Sequence, residues 1–117
     1  IPHDDILVVG EGIETMLSLI EAVPGLPVWA ALSSGHLGAV LLPEELQRLY
    51  IAIDRDPAGR GAAERLSARA TGVGISVRVL EPRLGDFNDD LRATGKEALR
   101  QHLAGQIGPE DRQRLFG

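Results

Sequence analysis

Four short apolar runs, each separated from the next by a stretch with helical character, constrain this chain more than any other feature. They are Ile6–Val9, Val28–Leu32, Leu49–Ile53 and Ile75–Leu80. Short apolar runs bounded by Gly, Pro, Asp or Ser read as buried strands, and the fourth reads as a strand from its β-branched Ile75, Val77 and Val79 on alternate positions. Strands that alternate with helical segments pack as βαβ units, and right-handed crossovers of that kind build a mainly parallel sheet with helices on its faces. The expectation is an α/β domain with about four strands sandwiched between helices.

The connecting segments carry their own punctuation. A helix is predicted from about Ile13 to Ala22, with apolar Ile13, Met16, Leu17 and Ile20 at helical spacing, and Pro24-Gly25 ends it. Ser33-Ser34-Gly35-His36 reads as a turn, Leu37–Leu42 as helix or strand, and Pro43-Glu44-Glu45 as the start of a helical turn. Asp56 is suited to cap a third helix with Pro57 at its first position, and Gly72 closes the run. Two short helices are predicted after the fourth strand, around Phe87–Ala93 and Lys96–Ala104. Residues 1–107 read as a single domain and polar residues 108–117 as a fraying tail.

Composition narrows the function classes. A chain of 117 residues with 44% hydrophobic content holds one core and excludes disorder. No apolar run approaches the roughly 18 residues of a membrane helix, and no signal-peptide pattern opens the chain. The absence of cysteine excludes disulfides and thiolate-bound zinc, so a cytoplasmic location is the expectation. Ile1 in place of Met suggests a piece of a longer polypeptide. The net charge of −5 argues against a simple electrostatic DNA binder. Eleven of the 12 positive charges are nevertheless arginine, the side chain best suited to bidentate phosphate contact, and Arg55, Arg60, Arg65 and Arg69 fall in one segment. The plainer reading of that segment is a solvated helix face carrying surface pairs with Glu64.

Carboxylates follow the strands. Glu11 lies in Val8-Val9-Gly10-Glu11-Gly12, Asp54 and Asp56 end Ile51-Ala52-Ile53-Asp54-Arg55-Asp56, and Asp86, Asp89 and Asp90 cluster after the fourth strand. The carboxyl ends of parallel strands converge on the ligand crevice of an open α/β sheet. Like charges gathered there need a proton or a cation, and a divalent metal is the natural guest. Residues two apart at an extended strand end point to the same side, so Asp54 and Asp56 can reach one ion. Each has a plain structural alternative: Glu11 favours a helix start, Asp56 caps a helix, and the last cluster caps the next one. An EF-hand is excluded by Ala58 and Arg65 at its fifth and twelfth positions, and the phosphate-loop pattern is absent. Ser33-Ser34-Gly35-His36 could hold a phosphate or form a simple turn, and His3, His36 and His102 look incidental.

Three motifs in this order, Val8-Val9-Gly10-Glu11-Gly12-Ile13-Glu14-Thr15, then Ile53-Asp54-Arg55-Asp56-Pro57-Ala58-Gly59, then Gly85-Asp86-Phe87-Asn88-Asp89, resemble a Toprim domain. This is the topoisomerase–primase module, here similar to the version in plasmid- and phage-type DNA primases and primase-helicases. The resemblance runs from about Ile6 to Ala93 and implies a Rossmann-like Toprim fold. It implies a catalytic glutamate at Glu11, magnesium (or manganese) ligands at Asp54 and Asp56, and either Asp86 or Asp89 as a further ligand. Glu11 would act as a ligand or as a proton-transfer group. Arg55, Arg60 and Ser34 are the candidates for phosphate or nucleic-acid contact. The implied activity is nucleotidyl transfer in primer synthesis, with a DNA template and nucleotide triphosphates as partners and a helicase or zinc-binding module in the parent protein. A Toprim-type metal-dependent nuclease and a non-catalytic metal-binding docking module are the alternatives. Tyr50, inside the third strand, is a poor candidate for a topoisomerase nucleophile.

Overall fold

The computed structural model describes residues 5–116, apart from the Ser34 side chain; His3 and the phosphate contact expected of Ser34 lie outside the described residues. Strands β1 (Ile6–Gly10), β2 (Val28–Ala30), β3 (Arg48–Ala52) and β4 (Ser76–Leu80) form one sheet in the order β2-β1-β3-β4, and every pairing is parallel. Helices α1 (Ile13–Ala22), α2 (Ser34–Gly38), α3 (Pro57–Gly72), α4 (Phe87–Thr94), α5 (Lys96–Gln106) and α6 (Pro109–Phe116) complete it. The expected α/β architecture is present. Among the described residues no helix is long and apolar enough to cross a membrane.

Both faces of the central strands β1 and β3 are covered, which is why these two read as unbroken apolar runs, whereas the edge strand β4 leaves Ser76, Arg78 and Val79 exposed. Ile6, Val8, Tyr50, Ala52 and Leu80 face α1, α4, α5 and α6, against Met16, Leu19, Phe87, Leu99, Leu103 and Leu115. Leu7, Val9, Leu49 and Ile51 face the opposite layer, packed on Leu37 of α2 and Ala62, Leu66 and Ala70 of α3. Burying one leucine- or isoleucine-sized side chain contributes roughly 1.5–3 kcal/mol, so these two layers supply the main drive to fold.

Helix α1 has the expected bounds but a different buried face. Thr15, Met16, Ser18, Leu19 and Ala22 point inward, while Ile13 and Leu17 are 56% and 59% exposed and Ile20 is also exposed. The close junction with β1 selects this face. A Cβ on Gly10 would lie 2.3 Å from Met16 Cε and 3.1 Å from the Ala52 carbonyl oxygen, so α1 rests almost on the strand. Small hydroxyl residues fill the space beside Met16, and apolar spacing alone points to the wrong stripe.

Two further expectations are corrected. Pro43-Glu44-Glu45 is a non-helical turn after the short α2, since the chain passes straight on to β3. The polar segment from Gly108 does not fray but forms α6, with Asp111 and Leu115 buried. Asp111 is what docks it. Its carboxylate accepts from Tyr50 Oη at 2.5 Å and from Arg48 Nε at 2.6 Å, while the Gly108 N–H donates to Tyr50 Oη at 3.1 Å. A buried carboxylate is stable only when paired and hydrogen-bonded in this way. Burial, followed by the neighbouring Asp111 carboxylate, pushes the Tyr50 phenol up to about 12.

Candidate metal centre

Gly10 at the end of β1 lies opposite Ala52 at the end of β3, so the two strands release their next residues side by side. The chain turns from β1 to β2 on one side and to β3 and β4 on the other, which makes this the crevice where open α/β sheets bind ligands. Two bonds continue the ladder beyond β2 and fix Glu11: the Ala31 N–H donates to Gly10 O and the Leu32 N–H to Glu11 O, both at 2.7 Å. Glu11, Asp54 and Asp56 each bring a carboxylate oxygen within 4.8 Å of the others.

The loop that carries Asp54 and Asp56 is held from several sides. Asp56 caps α3, its Oδ1 accepting from the Gly59 N–H at 2.6 Å, with Pro57 at the start of the helix. The cap expected of Asp56 is therefore present, and a carboxylate has a second oxygen left for an ion. The Arg55 N–H donates to Gly85 O at 2.8 Å, and the Arg55 guanidinium donates to Pro82 O through Nε (3.0 Å) and Nη2 (2.7 Å). Arg55 thus fastens the β3–α3 loop to the β4–α4 loop, a role its neighbours in sequence do not reveal.

The third acidic motif separates into members with different surroundings. Asp86 caps α4 by accepting from the Asp89 N–H at 2.7 Å, and it shares an open cavity of about 380 Å³ with Glu11, Asp54, Thr15, Ile13 and Leu32. Asp89 is exposed and lines a separate depression with Leu84, Arg92 and Ala93. Asp90 is buried and accepts from the Arg83 and Leu84 N–H groups, both at 2.8 Å, so it anchors the loop between β4 and α4. Phe87 is fully buried and pins the start of α4 to the core.

Asp54 lies at the electrostatic centre. Burial raises its pKa above the usual carboxylate value, and the charges of Asp86, Asp56 and Glu11 raise it further, while the Thr15 hydroxyl opposes them. The donor set suits a hard divalent cation. Magnesium prefers carboxylate oxygens at about 2.0–2.1 Å and tolerates several waters, so one ion spans oxygens up to about 4.2 Å apart. The three oxygens, within 4.8 Å of one another, lie close to that spacing.

The remaining sequence candidates are placed elsewhere. Arg60 pairs with Glu81 at 3.4 Å across an open groove between α3 and β4. Arg69 donates to the Gly38 and Val40 carbonyls, both at 2.8 Å, so it docks the α2 segment, and neither arginine lines the acidic cavity. Ser33 caps α2 by accepting from the His36 N–H at 3.1 Å, the local turn that was the plainer alternative. His102 Nδ1 accepts from Arg83 Nε at 3.2 Å, a local contact away from the carboxylates. Thr15 and Asn88 were not singled out. The hydroxyl four residues after Glu11, in the first turn of a helix that leaves the acidic strand end, was the available signal for Thr15.

Comparison with known proteins agrees with this fold. The bacteriophage T7 primase-helicase primase fragment matches with a TM-score of 0.65 and 22% identity over 89% of this chain and 44% of that one. The Aquifex aeolicus primase (zinc-binding and RNA polymerase domains) matches with a TM-score of 0.56 and 22% identity over 89% and 26%. A chain from a phage T7 assembly, in which the lagging-strand DNA polymerase interacts with primase domains bound to an RNA/DNA hybrid and dTTP, matches with a TM-score of 0.59 and 24% identity over 85% and 54%. At these identities the likeness is one of fold. In sequence, the ribosomal RNA small subunit methyltransferase H of Methylobacterium sp. (strain 4-46) is 34% identical over 76 residues, 65% of this chain and 22% of that protein. This chain therefore spans between about a fifth and about half of the proteins it matches. The Toprim domain family profile matches residues 6–97, from the first residue of β1 into the start of α5. The chain belongs to the Toprim domain family.

Proposed function

We propose that this chain is the metal-holding module of a primase-type nucleotidyltransferase, joining nucleotides on a DNA template with magnesium or manganese. The observation that carries the reading is the gathering of Glu11, Asp54 and Asp56 within 4.8 Å at the crevice of the parallel sheet. The fold likeness to primase fragments of phage T7 and Aquifex aeolicus supports it. A bound divalent ion supplies charge neutralisation at the attacking and leaving oxygens of phosphoryl transfer.

The residues divide the remaining work. Asp54 and Asp56 hold the ion, Asp56 with the oxygen that its helix cap leaves over. Glu11 completes the set, and its second oxygen is free to take the proton of an attacking hydroxyl. Asp86, which faces the same cavity, is favoured over Asp89 as the further acidic member. Arg60 offers its guanidinium to nucleic acid once Glu81 releases it, whereas Arg55 serves the site by holding two loops together. In the parent protein, a helicase or zinc-binding module would supply template handling.

Primer synthesis by the parent polypeptide tests the reading. Asp54→Asn is expected to abolish metal-dependent primer formation while leaving the protein folded. Cleavage of DNA or RNA without added nucleotide triphosphates would favour a nuclease instead, and unchanged activity in Asp54→Asn would reduce the cluster to a docking or regulatory ion site.

A further inference from the structure

We infer that Thr15 is a positioning residue for the metal centre, holding the Asp54 carboxylate in the orientation that faces Glu11 and Asp56. This role rests on the proposal that Asp54 holds a metal ion. Thr15 is only 5% exposed, and its Oγ1 lies 3.5 Å from Asp54 Oδ1, across 39 positions of sequence. A threonine hydroxyl inside a helix commonly donates to a carbonyl three or four residues earlier. The other two threonines do so, Thr71 to Ser67 O at 2.9 Å and Thr94 to Asp90 O at 2.7 Å. Thr15 instead turns away from its own helix. Thr15 lies in the first turn of α1, so the carbonyl four residues earlier, that of Glu11, precedes the helix and accepts from the Leu32 N–H at 2.7 Å.

The helix that carries Thr15 is fastened against the third acidic motif. Ser18 Oγ donates to the Glu14 carbonyl of its own helix at 2.8 Å and lies 3.3 Å from Asn88 Oδ1, and Asn88 Nδ2 donates to Glu14 Oε2 at 3.5 Å. Met16 and Leu19, buried in the core, seat this helix against the sheet, and Thr15 lines the same open cavity as Glu11, Asp54 and Asp86. At 3.5 Å the contact exceeds the optimum of about 2.8 Å for O–H···O bonds, so it steers the carboxylate without locking it. Donation to Oδ1 leaves Oδ2 to turn toward an ion. Donors behind a ligating carboxylate typically govern metal affinity by roughly 10–100-fold.

Calorimetric titration of the 117-residue chain with Mn²⁺ tests this, using the wild type, Thr15→Val, Thr15→Ala, Thr15→Ser and Asp54→Asn. Thermal unfolding of each metal-free variant runs alongside. Thr15→Val is expected to bind about tenfold more weakly, with Thr15→Ser restored to within about twofold of wild type. Asp54→Asn should lose the binding. Thr15→Ala carries the same comparison if the valine variant unfolds. Wild-type affinity in the folded Thr15→Val or Thr15→Ala protein, or equal weakness in Thr15→Ser, overturns the positioning role and leaves the metal centre standing. A wild-type chain that takes up no Mn²⁺ overturns both.

Discussion

Asp54→Asn should make the metal-free protein more stable and the metal-loaded protein less stable, so that the two variants exchange rank. The substitution replaces the central carboxylate with a neutral amide of nearly the same shape. Ligand oxygens within 4.8 Å of one another repel by roughly 1 kcal/mol per pair with water-like screening and by about 3 kcal/mol at an effective dielectric of 20. Asp54 is partly buried but faces an open cavity, so the lower figure applies, and relief of its two pairs, about 1–2 kcal/mol, corresponds to roughly 4–8 °C in Tm for a domain of this size. Burial and three like charges raise the folded-state pKa above 3.8. Ionisation therefore costs more in the folded than in the unfolded chain, and the wild type loses stability as pH rises through that window. Below it the carboxyl is neutral in both states and the variants should converge. Mn²⁺ at a hundredfold excess over its Kd adds about 2.7 kcal/mol to the wild type, or roughly 10 °C, and little to Asp54→Asn. Thermal unfolding at neutral pH, with EDTA and then with MnCl₂, reads both halves. A metal-free Asp54→Asn protein that melts below the wild type, or gains as much from Mn²⁺, would show that the carboxylates neither repel nor share an ion.

Other perturbations address the scaffold. Tyr50→Phe removes the donor to the buried Asp111 and leaves the Gly108 N–H without its acceptor, which should cost about 2–3 kcal/mol in urea unfolding; a loss below about 0.5 kcal/mol would deny the latch its role. Because Tyr50 is the only tyrosine, ultraviolet titration should show phenolate only near pH 12, with stability falling as pH rises from 10 toward that value. Arg114 holds the Asp5 carboxyl down to about 2 through a bidentate pair at 2.8 and 2.9 Å. Arg114→Ala should lower stability only slightly at neutral pH and low salt, and less as salt screens the pair. That difference is present above pH 3.8 and fades as pH falls toward 2, because the depressed carboxyl is then protonated in both states.

Features governed by neighbours in sequence were legible in advance. The bounds of α1, the Asp56 cap with Pro57, and the burial of Phe87 all follow from short-range chemistry, and the structure has each of them. The parallel sheet was legible for the same reason, since short apolar strands alternating with helices leave few other ways to pack. What sequence did not show depends on partners far along the chain. The inward stripe of α1 is chosen by its contact with β1 and Asn88, so Ile13 and Leu17 stay exposed despite ideal helical spacing. Helix α6 reads as a polar tail because its anchor is a buried aspartate whose partners, Arg48 and Tyr50, lie about 60 positions earlier. Likewise, Asp86, Asp89 and Asp90 are alike as letters, and only the fold of the β4–α4 loop makes one face the cavity, one face solvent and one anchor the backbone.

Everything proposed for this chain depends on Glu11, Asp54 and Asp56 holding a divalent cation together. Crystals of the chain soaked in Mn²⁺ and measured for anomalous scattering would show the ion itself. The expected peak lies at coordination distance, about 2.0–2.2 Å, from carboxylate oxygens of all three residues, and is missing in Asp54→Asn. A manganese peak bound elsewhere, with this crevice holding only water, would contradict the shared site.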